Sequence, residues 1–210
     1  HLSADADDIR NDTADKRIYV GNGEGGIEVI DADTHKQIGD VKVPAHPESF
    51  QIDKKLGRLL VNVPDAHMIA VVDLDKMLVV GKWVRNEPAA NFPMALDAIN
   101  HRIFIGYRHP ARLVVLDSRT GQEISINTMA GDADDLYYDQ ETAEIYVSGG
   151  EGYINIFQQA ATGIYKQVSN IPTRTGARTS LFVPQLKVLV LAARPVSGKS
   201  AGLLIYRASQ

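Results

Sequence analysis

One feature limits the fold of this chain more than any other: the sequence repeats itself at a spacing of roughly forty residues from one end to the other. Each repeat begins with a charged residue opening a short apolar run. The runs are Arg17-Ile-Tyr-Val-Gly21, Arg58-Leu-Leu-Val-Asn62, Arg102-Ile-Phe-Ile-Gly106, Glu144-Ile-Tyr-Val-Ser148 and Lys187-Val-Leu-Val-Leu191. About ten residues later comes a second run, as in Ile27-Glu-Val-Ile-Asp31, Ala70-Val-Val-Asp73, Leu113-Val-Val-Leu-Asp117, Tyr153-Ile-Asn-Ile-Phe157 and Leu203-Leu-Ile-Tyr206. β-Branched and aromatic residues in runs of this length favour strands. The residues between the two runs, such as Gly21-Asn-Gly-Glu-Gly-Gly26 and Pro64-Asp-Ala-His67, bend the chain or accept positive φ, so each pair reads as a hairpin.

A polar turn after the second run leads to a third stretch, Gln37 to Val43 or Met77 to Val84, and a further segment such as Ser49-Phe-Gln-Ile52 or Met94-Ala-Leu96 precedes the next opener. Four short antiparallel strands per repeat, without helical periodicity, predict an all-β chain built as a β-propeller with one blade per repeat. A β-sandwich is the alternative, but its strands need not recur as a self-similar unit. The repeats predict a single domain over 1–210 with blades near 5–43, 44–86, 88–130, 131–170 and 174–210. The fifth blade ends on its third strand, at Leu203 to Arg207, and so lacks an outermost member. Sequence preceding His1 is expected to supply it, or else the open edge pairs with a second copy to make a homo-oligomer.

Lys and Arg total 22 against 26 for Asp and Glu, a net charge of -4, so no general positive field is present to hold a nucleic acid backbone. The absence of cysteine excludes disulfides, thiolate zinc sites and a cysteine nucleophile. The longest apolar runs, Leu59 to Val63 and Val188 to Ala193, are strand-sized, so a helical membrane span is not expected. No basic, then apolar, then small-residue leader opens the chain, so any signal peptide is expected to have been removed or to lie upstream of His1.

With Ile18-Tyr-Val-Gly-Asn22 and Ile27-Glu-Val-Ile-Asp31, the repeats resemble the YVTN-type β-propeller repeats of bacterial and archaeal secreted proteins. The resemblance runs through blades one to four; blade five departs, with Leu204-Ile-Tyr206 where Val-Ile-Asp is expected. It implies a periplasmic or extracellular protein. Members usually form seven blades, so it also implies either two further blades or a five-bladed ring that closes by itself. Related rings include lactonases and a lyase, but none of their catalytic residues maps onto a motif here.

In a propeller, the loops leading into the innermost strands emerge on one face and gather at the channel mouth. Aligned on the charged openers, Asp7 and Asp8, Glu48 and Ser49, Phe92 and Pro93, Asp134 and Asp135, and Ala177 and Arg178 become equivalent. Asp5-Ala-Asp-Asp8 recurs as Asp132-Ala-Asp-Asp135 three blades later, which sets two acidic clusters nearly opposite across the axis. Asp7, Asp8, Asp134 and Asp135 are therefore candidate ligands for Ca²⁺ or another divalent cation, with Glu48 and Asn91 in support. The competing assignment makes one aspartate of each cluster an acceptor of backbone N–H groups at the strand start. Arg178 is expected to pair with an acid or hold an anion, and His46, Glu48, Asn91, Arg108 and Arg112 complete a candidate ligand rim. His46, His67 and His109 fall on that face and His35 and His101 on the opposite one, all without metal-site spacing. Asp31, Asp73 and Asp117 recur as well, each where an Asp can bond its own backbone in a turn.

Phosphate motifs fail: the glycine-rich 21–26 segment joins two strands, and Gly198-Lys-Ser200 has Ala193 in place of the first Walker glycine. The sequence therefore favours a non-catalytic binding or scaffold module for a small polar or anionic molecule, a glycan or a protein. The alternatives are a metal-assisted hydrolase or lactonase using Asp7, Asp134, Glu48 and His46, and a structural or self-associating cell-envelope element.

Overall fold

The apolar runs separated by turn residues form nineteen strands among the described residues of the computed structural model, which are 5–196 and 198–207. The ends of the 1–210 span, His1 among them, and residue 197 lie outside the described residues. The first blade comprises β1 (Ala6–Asp12), β2 (Arg17–Asn22), β3 (Gly26–Asp31) and β4 (Gln37–Lys42). The second comprises β5 (Phe50–Asp53), β6 (Arg58–Val63), β7 (Met68–Asp73) and β8 (Leu78–Val84), and the third β9 (Ala89–Asp97), β10 (Arg102–His109), β11 (Ala111–Asp117) and β12 (Glu123–Thr128). The fourth holds β13 (Ala133–Asp139), β14 (Glu144–Gly149), β15 (Tyr153–Ala161) and β16 (Ile164–Pro172), and the fifth β17 (Ser180–Val183), β18 (Val188–Ala193) and β19 (Gly202–Arg207). Every blade is an antiparallel meander in chain order, with four strands in the first four and three in the fifth. The all-β propeller read from the repeats is the observed fold, and no helix among the described residues is long and apolar enough to cross a membrane.

Strand alternation gives each blade two faces, and the apolar faces of consecutive blades pack on each other. In β10, Ile103 and Ile105 point into the core shared with the second blade, whereas Phe104 points into the core shared with the fourth. Four such clusters join blades one to two, two to three, three to four and four to five. Among the described residues no cluster joins blade five to blade one, and Leu181, Leu203 and Ile205 on the far face of blade five stay exposed. The inner strands β1, β5, β9, β13 and β17 touch in that order, which gathers their starts around one channel.

Four-residue turns link the first and second strands, and each ends on a residue at positive φ: Lys16, Gly57, His101, Ala143 and Lys187. In the first four blades a buried aspartate, Asp12, Asp53, Asp97 or Asp139, closes the preceding strand and accepts amides of the turn. The second recurring set does the same for the turn after the third strand: Asp31, Asp73 and Asp117 accept amides two or three residues on. Turn chemistry therefore accounts for both series.

The fifth repeat corrects the alignment read from the charged openers. Lys187 is the last residue of its turn, equivalent to Lys16, and Val188 takes the place of Arg17, with Val183 in the place of Asp12. The charge on Lys187 imitates an opener, but the turn fixes the register one residue later. Arg178 thus aligns with Asp7, Glu48, Phe92 and Asp134, and Thr179 aligns with Asp8 and Asp135.

Candidate functional site

A cavity of about 590 Å³ runs along the inner strands, and the strand starts line its charged mouth. Asp8 and Asp135, in register with each other, act across blade boundaries. Asp8 accepts the Phe50 amide of blade two at 3.0 Å, and Asp135 accepts the Ser180 amide of blade five at 2.5 Å. Each carboxylate thus ties one inner strand to the next. Arg10 pairs with Asp8, and the Tyr137 hydroxyl donates to the Ser180 carbonyl at 2.6 Å. Burial raises the Asp8 carboxyl above the ordinary carboxylate range and pushes Asp135 up to about 6, against the lowering effect of the amides they accept.

Asp7 and Asp134 turn toward the mouth and take different partners. The Asp7 carboxylate meets His46 Nε2 at 2.9 Å, and ligand atoms of Asp7, His46 and Glu48 lie within 4.8 Å of one another. Glu48 is half-buried; desolvation, reinforced by the charge of Asp7, raises its carboxyl. Asp134 instead lies between two arginines. Arg108 donates to it and, through Nε, to the Ala133 carbonyl at 2.9 Å; Arg178 Nε donates to it at 3.2 Å. Arg178 Nη1 also grips both Asp132 oxygens at 2.6 Å. The Arg108 guanidinium stacks 3.7 Å from the Phe92 ring centroid, which fixes its plane.

The structure therefore joins Asp7, His46 and Glu48 on one side of the mouth and Arg108, Asp134 and Arg178 on the other. It does not bring the four aspartates into one ligand set, because Asp8 and Asp135 are directed at backbone amides. Asn91 is 2% exposed, and its amide donates to Asn62 and to the Met68 carbonyl, which makes it part of the scaffold beneath the rim. Arg112 stands apart on the β10–β11 hairpin and donates to its neighbour Ala111. Among the other imidazoles, His35 and His101 occupy positive-φ turn positions, as does His67 after the short 3₁₀ turn Pro64–Ala66. Asp132 and Arg10 also shape the mouth, beyond the residues that sequence reasoning selects, and Phe92 lies there as the repeat alignment expects. Asp132 is discoverable as the first residue of the repeated tetrapeptide; the stacking of Arg108 on Phe92 carries no sequence signal.

No family model matches the chain, and no curated protein matches it. Solved structures do. A chain in the crystal structure of the mitotic checkpoint complex superimposes with a TM-score of 0.80 at 14% sequence identity, over 99% of this chain and 64% of that one. The likeness is one of fold. The chain spans less than two thirds of the length of the structure it matches. Propellers serve many unrelated roles, so the function has to be argued from the channel mouth.

Proposed function

We propose that this chain is an exported binding propeller whose channel mouth captures a small polar molecule carrying an anionic group. The observation that carries the reading is the pair Arg108 and Arg178, held in fixed planes by Asp132, Asp134 and Phe92 at the opening of the 590 Å³ cavity. Arg108 Nη1 and Arg178 Nη2 make no hydrogen bond to described residues, so each guanidinium keeps donors for a ligand. Ordering the guanidinium groups before binding reduces the entropy lost on capture. Export and a YVTN-type lineage are supported by the sequence resemblance. The test is a thermal-shift and calorimetric screen of carboxylates, phosphate esters and acidic sugars. At least one should bind the wild type and lose about tenfold or more in affinity in Arg178→Ala. A wild type that binds none of them, or binding indifferent to Arg178→Ala, defeats the reading.

A second reading rests on Asp7, His46 and Glu48. Two carboxylates and an imidazole within 4.8 Å form a donor set suited to Zn²⁺ or Mn²⁺, and an ion there would polarise a carbonyl or activate water on the rim of the cavity. Metal analysis of protein purified without chelators decides it. Bound metal, with a melting-temperature rise on metal addition that Asp7→Asn removes, supports metal-assisted hydrolysis; metal-free protein with no such rise retires it.

A further inference from the structure

The channel mouth carries more negative charge than its arginines balance. Arg10 pairs with Asp8, and Arg108 and Arg178 pair with Asp132 and Asp134, so each of these guanidinium groups already faces a carboxylate. Asp7 and Glu48 are left in excess, with the His46 imidazole beside them.

Glu48 shows the imbalance most sharply. It lies at the start of the second blade, between blade one and blade three, and its backbone amide is anchored on the Asn62 carbonyl at 2.9 Å, which fixes it at the rim. Its side chain is half-buried, yet the carboxylate makes no hydrogen bond or ion pair to the described residues. Burial raises its carboxyl and the charge of Asp7 adds to the rise; His46 and Arg108 act the other way without cancelling it. A desolvated acid in this position lacks a counter-charge. Arg108 and Asp134 are close enough to act on Glu48, so the acidic side and the arginine side flank one opening. A simple anion bound by Arg108 and Arg178 would add to the excess of negative charge. A ligand that also carries a positive group relieves it.

We propose that the molecule captured at the mouth is a small zwitterion, with its anionic group held by Arg108 and Arg178 and a primary ammonium group held by Glu48 and Asp7. The inference rests on the reading of the arginine pair as an anion site and adds to it the class of ligand, that of small amino acids and amino sugar acids. An ammonium is a compact charge with three donors, which suits two carboxylates whose ligand oxygens lie within 4.8 Å of each other. His46 keeps its Nε2 contact with Asp7 and positions that carboxylate.

The probes are glycine, γ-aminobutyrate and ε-aminocaproate, which set the two charges at increasing separation, each beside acetate, butyrate or caproate, the same carboxylate without the amine. Calorimetric titrations are run in buffer containing a chelator, which keeps divalent ions away from Asp7 and Glu48. At least one amino acid should bind about tenfold or more tightly than its carboxylate partner. Glu48→Gln, isosteric and with no hydrogen bond to lose, should lower that amino acid's affinity to the level of the carboxylate while the melting temperature stays near wild type. Arg178→Ala should weaken the amino acid and the carboxylate together. Equal affinity for the two members of every pair, or a preference for the amine that survives Glu48→Gln, overturns the proposal and leaves the anion site standing. So does a preference that appears only when Zn²⁺ or Mn²⁺ replaces the chelator, because the metal is then the counter-charge of Glu48. A wild type that binds no member of the series, or binding indifferent to Arg178→Ala, overturns the anion site and this inference with it.

Discussion

The tetrapeptide Asp-Ala-Asp-Asp occurs at 5–8 and again at 132–135, and the two copies behave alike in some positions and unlike in others. The backbone is reproduced closely: the Asp5 carbonyl accepts the Gly23 amide at 3.0 Å, and the Asp132 carbonyl accepts the Gly150 amide at 2.9 Å. The hairpin glycines that follow, Gly25 and Gly152, sit at φ of +86° and +99°; a Cβ on Gly25 would approach the Val43 carbonyl to 2.9 Å. The last aspartate is reproduced too, since Asp8 and Asp135 both hold an amide of the next blade. The second aspartate is not. Asp7 faces His46 and Asp134 faces two arginines. A residue aimed at backbone meets the same partner wherever the repeat recurs. A residue aimed at side chains meets whatever the neighbouring blades carry, and that is where one fold acquires different sites.

The largest effect follows from the shared role. Removing either carboxylate leaves a part-buried amide without its acceptor, so Asp8→Ala and Asp135→Ala should each cost about 1–3 kcal/mol in chemical denaturation. The comparison breaks if one variant is destabilised and the other is unchanged. Asp135→Asn keeps an acceptor oxygen and should fall between wild type and Asp135→Ala.

A smaller effect appears in the pH dependence. Folding raises the Asp135 carboxyl from 3.8 to about 6, so the native state binds this proton more tightly than the unfolded chain does. The resulting contribution is fully present below the lower value and is lost as pH rises through the higher one. Stability should therefore decline between about pH 4 and about pH 6, with a slope below the ~1.4 kcal/mol per pH unit of a single proton. Asp135→Asn should flatten that slope in denaturation curves taken across the window. The part due to Asp8, raised in the same direction, should persist.

The sequence shows the same division between backbone and side-chain roles. The repeat, the four-stranded blades and the short fifth blade are legible because apolar periodicity and turn residues act within one blade. That Arg178 pairs with acids is legible because the acids recur in register with it. The buried position of Asn91, the capture of Asp134 by Arg108 and the separation of Asp7 from Asp134 are not legible, because each depends on packing between blades. The register of blade five is hidden for a different reason. Charge marks the opener in four repeats, but charge at Lys187 is incidental, and the turn residue at positive φ is the better ruler.

The smallest expected effect tests whether a role aimed at backbone is portable. Blade five has Val183 where Asp12, Asp53, Asp97 and Asp139 close the other first strands, and its turn, Pro184 to Lys187, has the same length and the same positive-φ final residue. In blade two the Asp53 carboxylate accepts the Leu56 amide at 3.1 Å; the Leu186 amide holds the equivalent place in blade five. Val183→Asp supplies the missing acceptor, and it sacrifices little apolar burial because Val183 is only half-buried. A net gain of about 0.5 kcal/mol is expected, the size of one hydrogen bond less a fraction of a buried side chain. Denaturation midpoints of Val183→Asp and Val183→Asn measure it. If both variants lose stability, the turn aspartates depend on their own blades' surroundings, and the distinction between portable and local roles fails at the position where it should hold most simply.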